Sequence, residues 1–180
     1  IAAFEWEPGR LRIFVNHEIG AAKGYARQID NVVKLTRARV SSIDIDTSSL
    51  RRVAAGPAIR RILDRQSSPV TNPQQINERP KASDRGLDVL CSSAGYRAGQ
   101  FGFVSDILFV HEEATVDDNH PHGGTVWALD VHRGDLRALP ELGRGSWENV
   151  AALATPDADE PDGHVALLIS DDYEFGGAPL

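Results

Sequence analysis

The chain has 180 residues, a formal net charge of -7 and 41% hydrophobic residues, which excludes collagen-like, low-complexity and wholly disordered readings. The acidic balance argues against a protein that wraps nucleic acid in a general basic field. No apolar run approaches the roughly 20 residues of a membrane helix, and the single cysteine, Cys91, excludes an internal disulfide framework or a cysteine-rich zinc site.

The run Leu11-Arg12-Ile13-Phe14-Val15 is apolar and β-prone and follows the turn pair Pro8-Gly9. Arg37 to Asp46 alternates in the manner of a half-buried strand. Pro57 to Arg65 predicts the one short helix, with Pro57 in its first turn and Ile59, Ile62 and Leu63 on one face. Gln66 to Asp84 is polar and proline-bearing, and predicts a long surface loop because neither flank can bury a core of its own. Further strands are predicted at Ile107 to Val110, Thr125 to Val131, Leu136 to Leu139, Val150 to Leu153 and Val165 to Ile169. His132-Arg133-Gly134-Asp135 joins two of them as a β-hairpin. The expected fold is all-β, and strands recurring with short turns suit a sandwich, a barrel or a propeller. The chain opens on Ile1 with no Met anywhere and ends just after an apolar run, so it reads as a piece of a longer or processed protein, and the lack of a signal peptide does not place it.

Polar residues gather at the ends of the apolar runs. Asn16-His17-Glu18 follows Val15, His111-Glu112-Glu113 follows Val110, Ser146-Trp147-Glu148-Asn149 opens a strand, and Asp171-Asp172 follows Ile169-Ser170. Carboxylates at strand ends sit on rigid supports and can converge on one cation; calcium takes six to eight oxygen ligands. A Cys91 thiolate is a ligand that iron or zinc accepts and calcium does not. Each cluster taken alone also fits a solvated turn, His17, His111, His120 and His122 fit loop or surface histidines, and Cys91 fits a small buried hydrophobe. Asp117-Asp118-Asn119 lacks the glycine and closing Glu of an EF-hand loop. Neither a phosphate loop ending in Lys-Ser/Thr nor a Gly-x-Ser-x-Gly elbow is present.

Taken in order, the stretches Phe14-Val15-Asn16-His17-Glu18, Ala38-Arg39-Val40-Ser41-Ser42, Leu90-Cys91-Ser92-Ser93-Ala94-Gly95 and Leu108-Phe109-Val110-His111-Glu112-Glu113 form one pattern. It continues with Leu139-Pro140-Glu141-Leu142-Gly143-Arg144-Gly145-Ser146-Trp147-Glu148-Asn149 and Leu168-Ile169-Ser170-Asp171-Asp172. This pattern resembles the PhoX-like alkaline phosphatase family of metal-dependent β-propeller proteins, over roughly residues 10 to 172.

The resemblance implies a propeller with metals at one end of its channel. This chain would supply about two to three blades of four-stranded antiparallel sheet, and the remaining blades would be its partners. It further implies a periplasmic or secreted phosphomonoesterase that uses calcium and iron on a small phosphoester substrate. Carried over residue by residue, Cys91 matches the iron-binding cysteine and Glu113 or Glu112 a metal carboxylate. Glu18, Glu148 and Asp172 are the candidates for the other carboxylate ligands, and Arg144 for a phosphate clamp. The longer phosphatases follow the cysteine with a Thr-Pro-Trp-Gly-Thr-like stretch. Here Ser92-Ser93-Ala94-Gly95-Tyr96 runs on to Gln100-Phe101-Gly102-Phe103-Val104, as in a shorter branch. The competing expectations are a non-catalytic, calcium-stabilised propeller used for binding and a metal-free hydrolase built on a serine.

Overall fold

A computed structural model describes residues 1–19, 27–29, 33–35, 38–76, 86–113, 123–158, 160 and 163–172, with the backbone alone for 27–29 and 33–35. The regular structure is strand: β1 (Ala2–Glu7), β2 (Arg10–His17), β3 (Arg27–Ile29), β4 (Val33–Leu35), β5 (Arg39–Asp46), β6 (Arg52–Pro57) and β7 (Arg61–Leu63) come first. There follow β8 (Leu90–Tyr96), β9 (Ile107–Glu112), β10 (Val126–Asp130), β11 (Asp135–Ala138), β12 (Trp147–Leu153) and β13 (Ala166–Asp171). Short 3-10 turns at Pro73–Gln75 and Pro140–Leu142 interrupt them.

The strands form a four-stranded antiparallel sheet in the order β1-β2-β5-β6, a five-stranded sheet β7-β11-β10-β9-β8, and the pairs β12-β13 and β3-β4. Two-residue periodicity gives the five-stranded sheet two distinct faces. Leu108, Val110, Trp127 and Leu129 join Phe4, Phe14 and Val40 of the first sheet in the larger core. Phe109, Val126 and Ala128 point the other way and pack with Trp147 and Val150 of β12 and Leu167 and Ile169 of β13. The five-stranded sheet is thus held between the other two. The predicted hairpin is β10-β11, in register from Asp130↔Asp135 to Trp127↔Ala138. Asp130 Oδ1 accepts from the amides of His132 and Arg133, and Gly134 turns at a φ of 75°, a backbone that suits glycine.

All-β holds; the predicted helix does not. Pro57 ends β6, and Arg61–Leu63 is an extended strand parallel to β11, with Ile62 opposite Leu136. The burial of Ile59, Ile62 and Leu63 reads as a helical stripe, but Gly134 O accepts from the amides of both Arg60 and Arg61 and fixes this segment on the sheet edge. The predicted loop from Gln66 is irregular as far as it is described. It is not wholly superficial, because Val70 and Ile76 are buried in the larger core and the Val70 amide donates to Ile62 O. Asn72 and Gln75 form a capping box around the 3-10 turn. Residues 77–84, Asp117-Asp118-Asn119, His120 and His122 lie outside the described residues.

The described strands close into no barrel or ring of blades. On the outward face of the first sheet, Leu11, Ile13, Val15, Ile43 and Ile45 are only partly buried and belong to neither core. On the outward face of β12-β13, Ala151, Leu153 and Leu168 are exposed. Among the described residues no helix is long and apolar enough to cross a membrane.

Candidate metal centre

The site lies at one end of the interface between β8-β9 and β12-β13. Its geometry starts from an irregularity in β8: the register against β9 slips between Leu90 and Ser92. A bulge of this kind re-aims side chains at a strand end. Leu90 stays in the larger core. Cys91 Sγ approaches Trp147 O at 3.6 Å, and Ser92 Oγ meets His111 Nδ1 at 2.7 Å and donates to Glu148 O. Two consecutive side chains therefore face β12. Asn16 Nδ2 donates to Ser92 O at 2.5 Å, which ties the Asn16-His17-Glu18 segment to the same bulge. His17 Nε2 pairs with Ser41 Oγ at 2.8 Å, and burial with the nearby Arg39 charge lowers its pKa.

On β9 the alternation of the strand separates the two adjacent acids. Glu113, just past its end, bridges to Ser146, and Glu113 N donates to Val89 O. Ser146 in turn accepts from the Asp172 amide and donates its own amide to Asp171 Oδ1. Gly124 lets this corner close: a Cβ there would lie 2.3 Å from Gly145 O, and its φ is 65°. A similar register slip between Trp147 and Asn149 places Glu148 at the same end of β12.

Cys91, Glu113 and Glu148 thereby come together, with one potential ligand atom from each within 4.8 Å of the others. Burial first, then the charges of Glu148 and Glu113, push the Cys91 thiol up to about 11. Burial also raises the Glu113 carboxyl, and the charges of Glu148, Asp172 and Glu18 push it further, against a hydrogen bond with Cys91 that lowers it. Five of the predicted residues, Glu18, Cys91, Glu113, Glu148 and Asp172, thus share one electrostatic neighbourhood. Like charges so placed repel unless a proton or a cation lies between them.

Glu112 is the acid the structure sets apart. It is fully buried on the opposite face, accepting from the Asp88 amide at 2.6 Å and from Trp127 Nε1 at 3.5 Å. Of the two acids left open by the sequence, Glu113 is the one at the cluster, because one step along a strand reverses the side. Arg144 lies two residues before Ser146, and its Nε donates to Gly123 O at 2.9 Å, so part of its donor fork holds a loop.

His111 corrects the surface reading. It is fully buried, and desolvation drops its pKa to about 4. The neutral ring shares a hydrogen bond with Ser92, which also holds Glu148 O; the chain His111–Ser92–Glu148 backbone fixes the bulge to β12. The sequence signal for it is the two-residue spacing of Phe109, His111 and Glu113, which puts the histidine on the apolar face.

The donor set fits the implied metals. Ligand atoms about 2.3 Å from one ion lie at most about 4.6 Å apart, and the three candidate atoms here lie within 4.8 Å of one another. One thiolate beside carboxylates suits iron, and the surrounding carboxylates suit calcium. Comparison with models of known protein families, with curated proteins and with solved structures finds no match for this chain.

Proposed function

We propose that this chain is part of a metal-dependent phosphomonoesterase of the PhoX-like kind, a segment of a β-propeller that acts in the periplasm or outside the cell with calcium and iron. The observation that carries the reading is the meeting of Cys91, Glu113 and Glu148, with Glu18 and Asp172 close enough to repel Glu113. Those residues come from five separate motifs that occur in the family's order. The apolar outward faces of the first sheet and of β12-β13 support a propeller, in which further blades would cover both.

In this reading Cys91, Glu113 and Glu148 hold iron, and Glu18 and Asp172 complete the carboxylate shell for calcium. The bound cations would supply charge for the phosphate oxygens and for the negative charge that develops in the transition state. His111 and Ser92 position the ligands by locking β8 onto β12. Arg144, two residues before Ser146, is the phosphate clamp.

Hydrolysis of a chromogenic phosphomonoester by the full-length protein tests this reading. The expected result is turnover that stops on chelation, returns with iron and calcium, and falls at least about a hundredfold in Glu148→Gln and Cys91→Ala, about 2.7 kcal/mol. Bound calcium with no iron and no turnover would instead identify a non-catalytic, calcium-stabilised propeller, and chelator-resistant turnover would identify a serine-based hydrolase.

A further inference from the structure

A second polar site lies at the other end of the strands from the thiol and its carboxylates. A cleft of about 210 Å³ opens between β5-β6 and the β10-β11 turn, lined among others by Arg12, Ser42, Asp44, Arg60 and His132. Arg12 precedes Asn16, which touches the Cys91 bulge, by four residues of β2, or about 13 Å along the strand. The cleft is therefore separate from the candidate metal centre.

Arg12 is immobilised before any ligand arrives. Its guanidinium carbon lies 3.4 Å from the centroid of the Trp6 ring, and its Nε and Nη2 fork onto Asp44 at 2.5 and 2.7 Å. Trp6 also stacks with His132, at 4.8 Å between centroids and 18° between planes. The fork uses two of the three guanidinium nitrogens, so Nη1 has no described partner among the described residues. Arg60 stands exposed at the rim, and its guanidinium likewise has none. The lining thus carries two arginines against one carboxylate, Asp44, while His132 has its own carboxylate in Asp106, at 3.1 Å. In a chain of net charge -7, a cleft lined with excess positive charge selects for anions. The half-buried Ser42 adds a hydroxyl to the lining.

We propose that this cleft binds a small oxyanion, a phosphate or carboxylate group, between Nη1 of Arg12 and the guanidinium of Arg60. The planar donor edges of two arginines match either anion. Because Arg12 is already ordered by Trp6 and Asp44, binding freezes little beyond Arg60. The cleft, about 210 Å³ and open to solvent on one side, has room for inorganic phosphate or a short dicarboxylate. The inference is independent of the phosphatase reading.

The test is a titration of the metal-free chain with inorganic phosphate and, separately, with succinate, followed by NMR of the arginine side chains. Saturable shifts at Arg12 and Arg60 are expected, and the tighter of the two anions identifies the preferred source. Arg60→Gln, at an exposed position that spares the fold, weakens that anion at least about tenfold. Arg52→Gln, an equal loss of charge at the start of β6 and outside the cleft lining, leaves it unchanged. Shifts that remain linear with concentration, an R60Q chain that binds as tightly, or shifts confined to the Cys91 end would each overturn the proposal.

Discussion

On one face of the five-stranded sheet, Leu108, Val110, Trp127 and Leu129 pack against Phe4, Phe14 and Val40, and the one acid of β9 on that face, Glu112, is buried and hydrogen-bonded. On the other face Phe109 and Val126 pack against Val150 and Ile169, and beyond them the lining turns polar, to Ser92, His111, Glu113 and Cys91. The first interface is built for stability. The second gives up part of its apolar contact to hold carboxylates and a thiol close together, an arrangement that costs folding energy unless a cation or protons offset the repulsion. The larger apolar core and the candidate metal centre therefore occupy opposite faces of one sheet, and substitutions on the two faces have different signatures.

The largest effect is expected on the apolar face. Trp127→Ala empties a fully buried site and removes a donor from the buried Glu112, and costs about 3–5 kcal/mol. Urea unfolding measures it, and the loss is the same with and without metal. Equal stability in that variant would break the contrast between the faces.

The next effect is a pH dependence that belongs to the polar face. His111 has a folded pKa of about 4, below the 6.5 of the unfolded chain. Between those values the unfolded state binds the proton and the folded state does not, so stability is lost as pH falls from 6.5 towards 4. The loss from this group is about 3 kcal/mol. Most of it, about 2.5 kcal/mol, is read as the difference in unfolding free energy between pH 7.5 and pH 4.5, and that difference shrinks by this amount in His111→Gln. An unchanged difference would mean that the ring is solvated.

The smallest effect concerns metal uptake. With its thiol pushed up to about 11, Cys91 is protonated at neutral pH in the metal-free chain. A cation bound to its sulfur must displace that proton, so apparent affinity rises by up to about tenfold per pH unit from this group alone. Titration at pH 6.5, 7.5 and 8.5 checks the slope, and Cys91→Ala flattens it.

Much of this arrangement is legible in the sequence, and what is not has identifiable causes. β2, β5, β9, β10 and β13 carry period-two or apolar runs bounded by turn residues, and the β10-β11 hairpin announces itself through Arg133-Gly134-Asp135. β7 is misread because three residues spaced 59, 62 and 63 satisfy a helical face as well as a short buried strand; only pairing with β11 decides between them. β8 is polar enough to hide, and its bulge, which turns Cys91 and Ser92 towards β12, depends on long-range pairing. The strand-end carboxylates are visible as motifs, yet the choice between Glu112 and Glu113 requires the phase of β9 against both neighbouring sheets. The Arg12–Asp44 fork joins directly opposed residues of the neighbouring strands β2 and β5, far apart in sequence, and leaves no local signal.

The central claim is that side chains from distant strands share cations at the polar end of the second interface. Elemental analysis of the full-length protein, combined with X-ray absorption at the iron edge, tests it most directly. The account predicts iron with a sulfur ligand together with calcium, and loss of the iron when Cys91→Ala, Glu113→Gln and Glu148→Gln are combined. Iron absent from the wild-type protein, or retained in full by the triple variant, would contradict it.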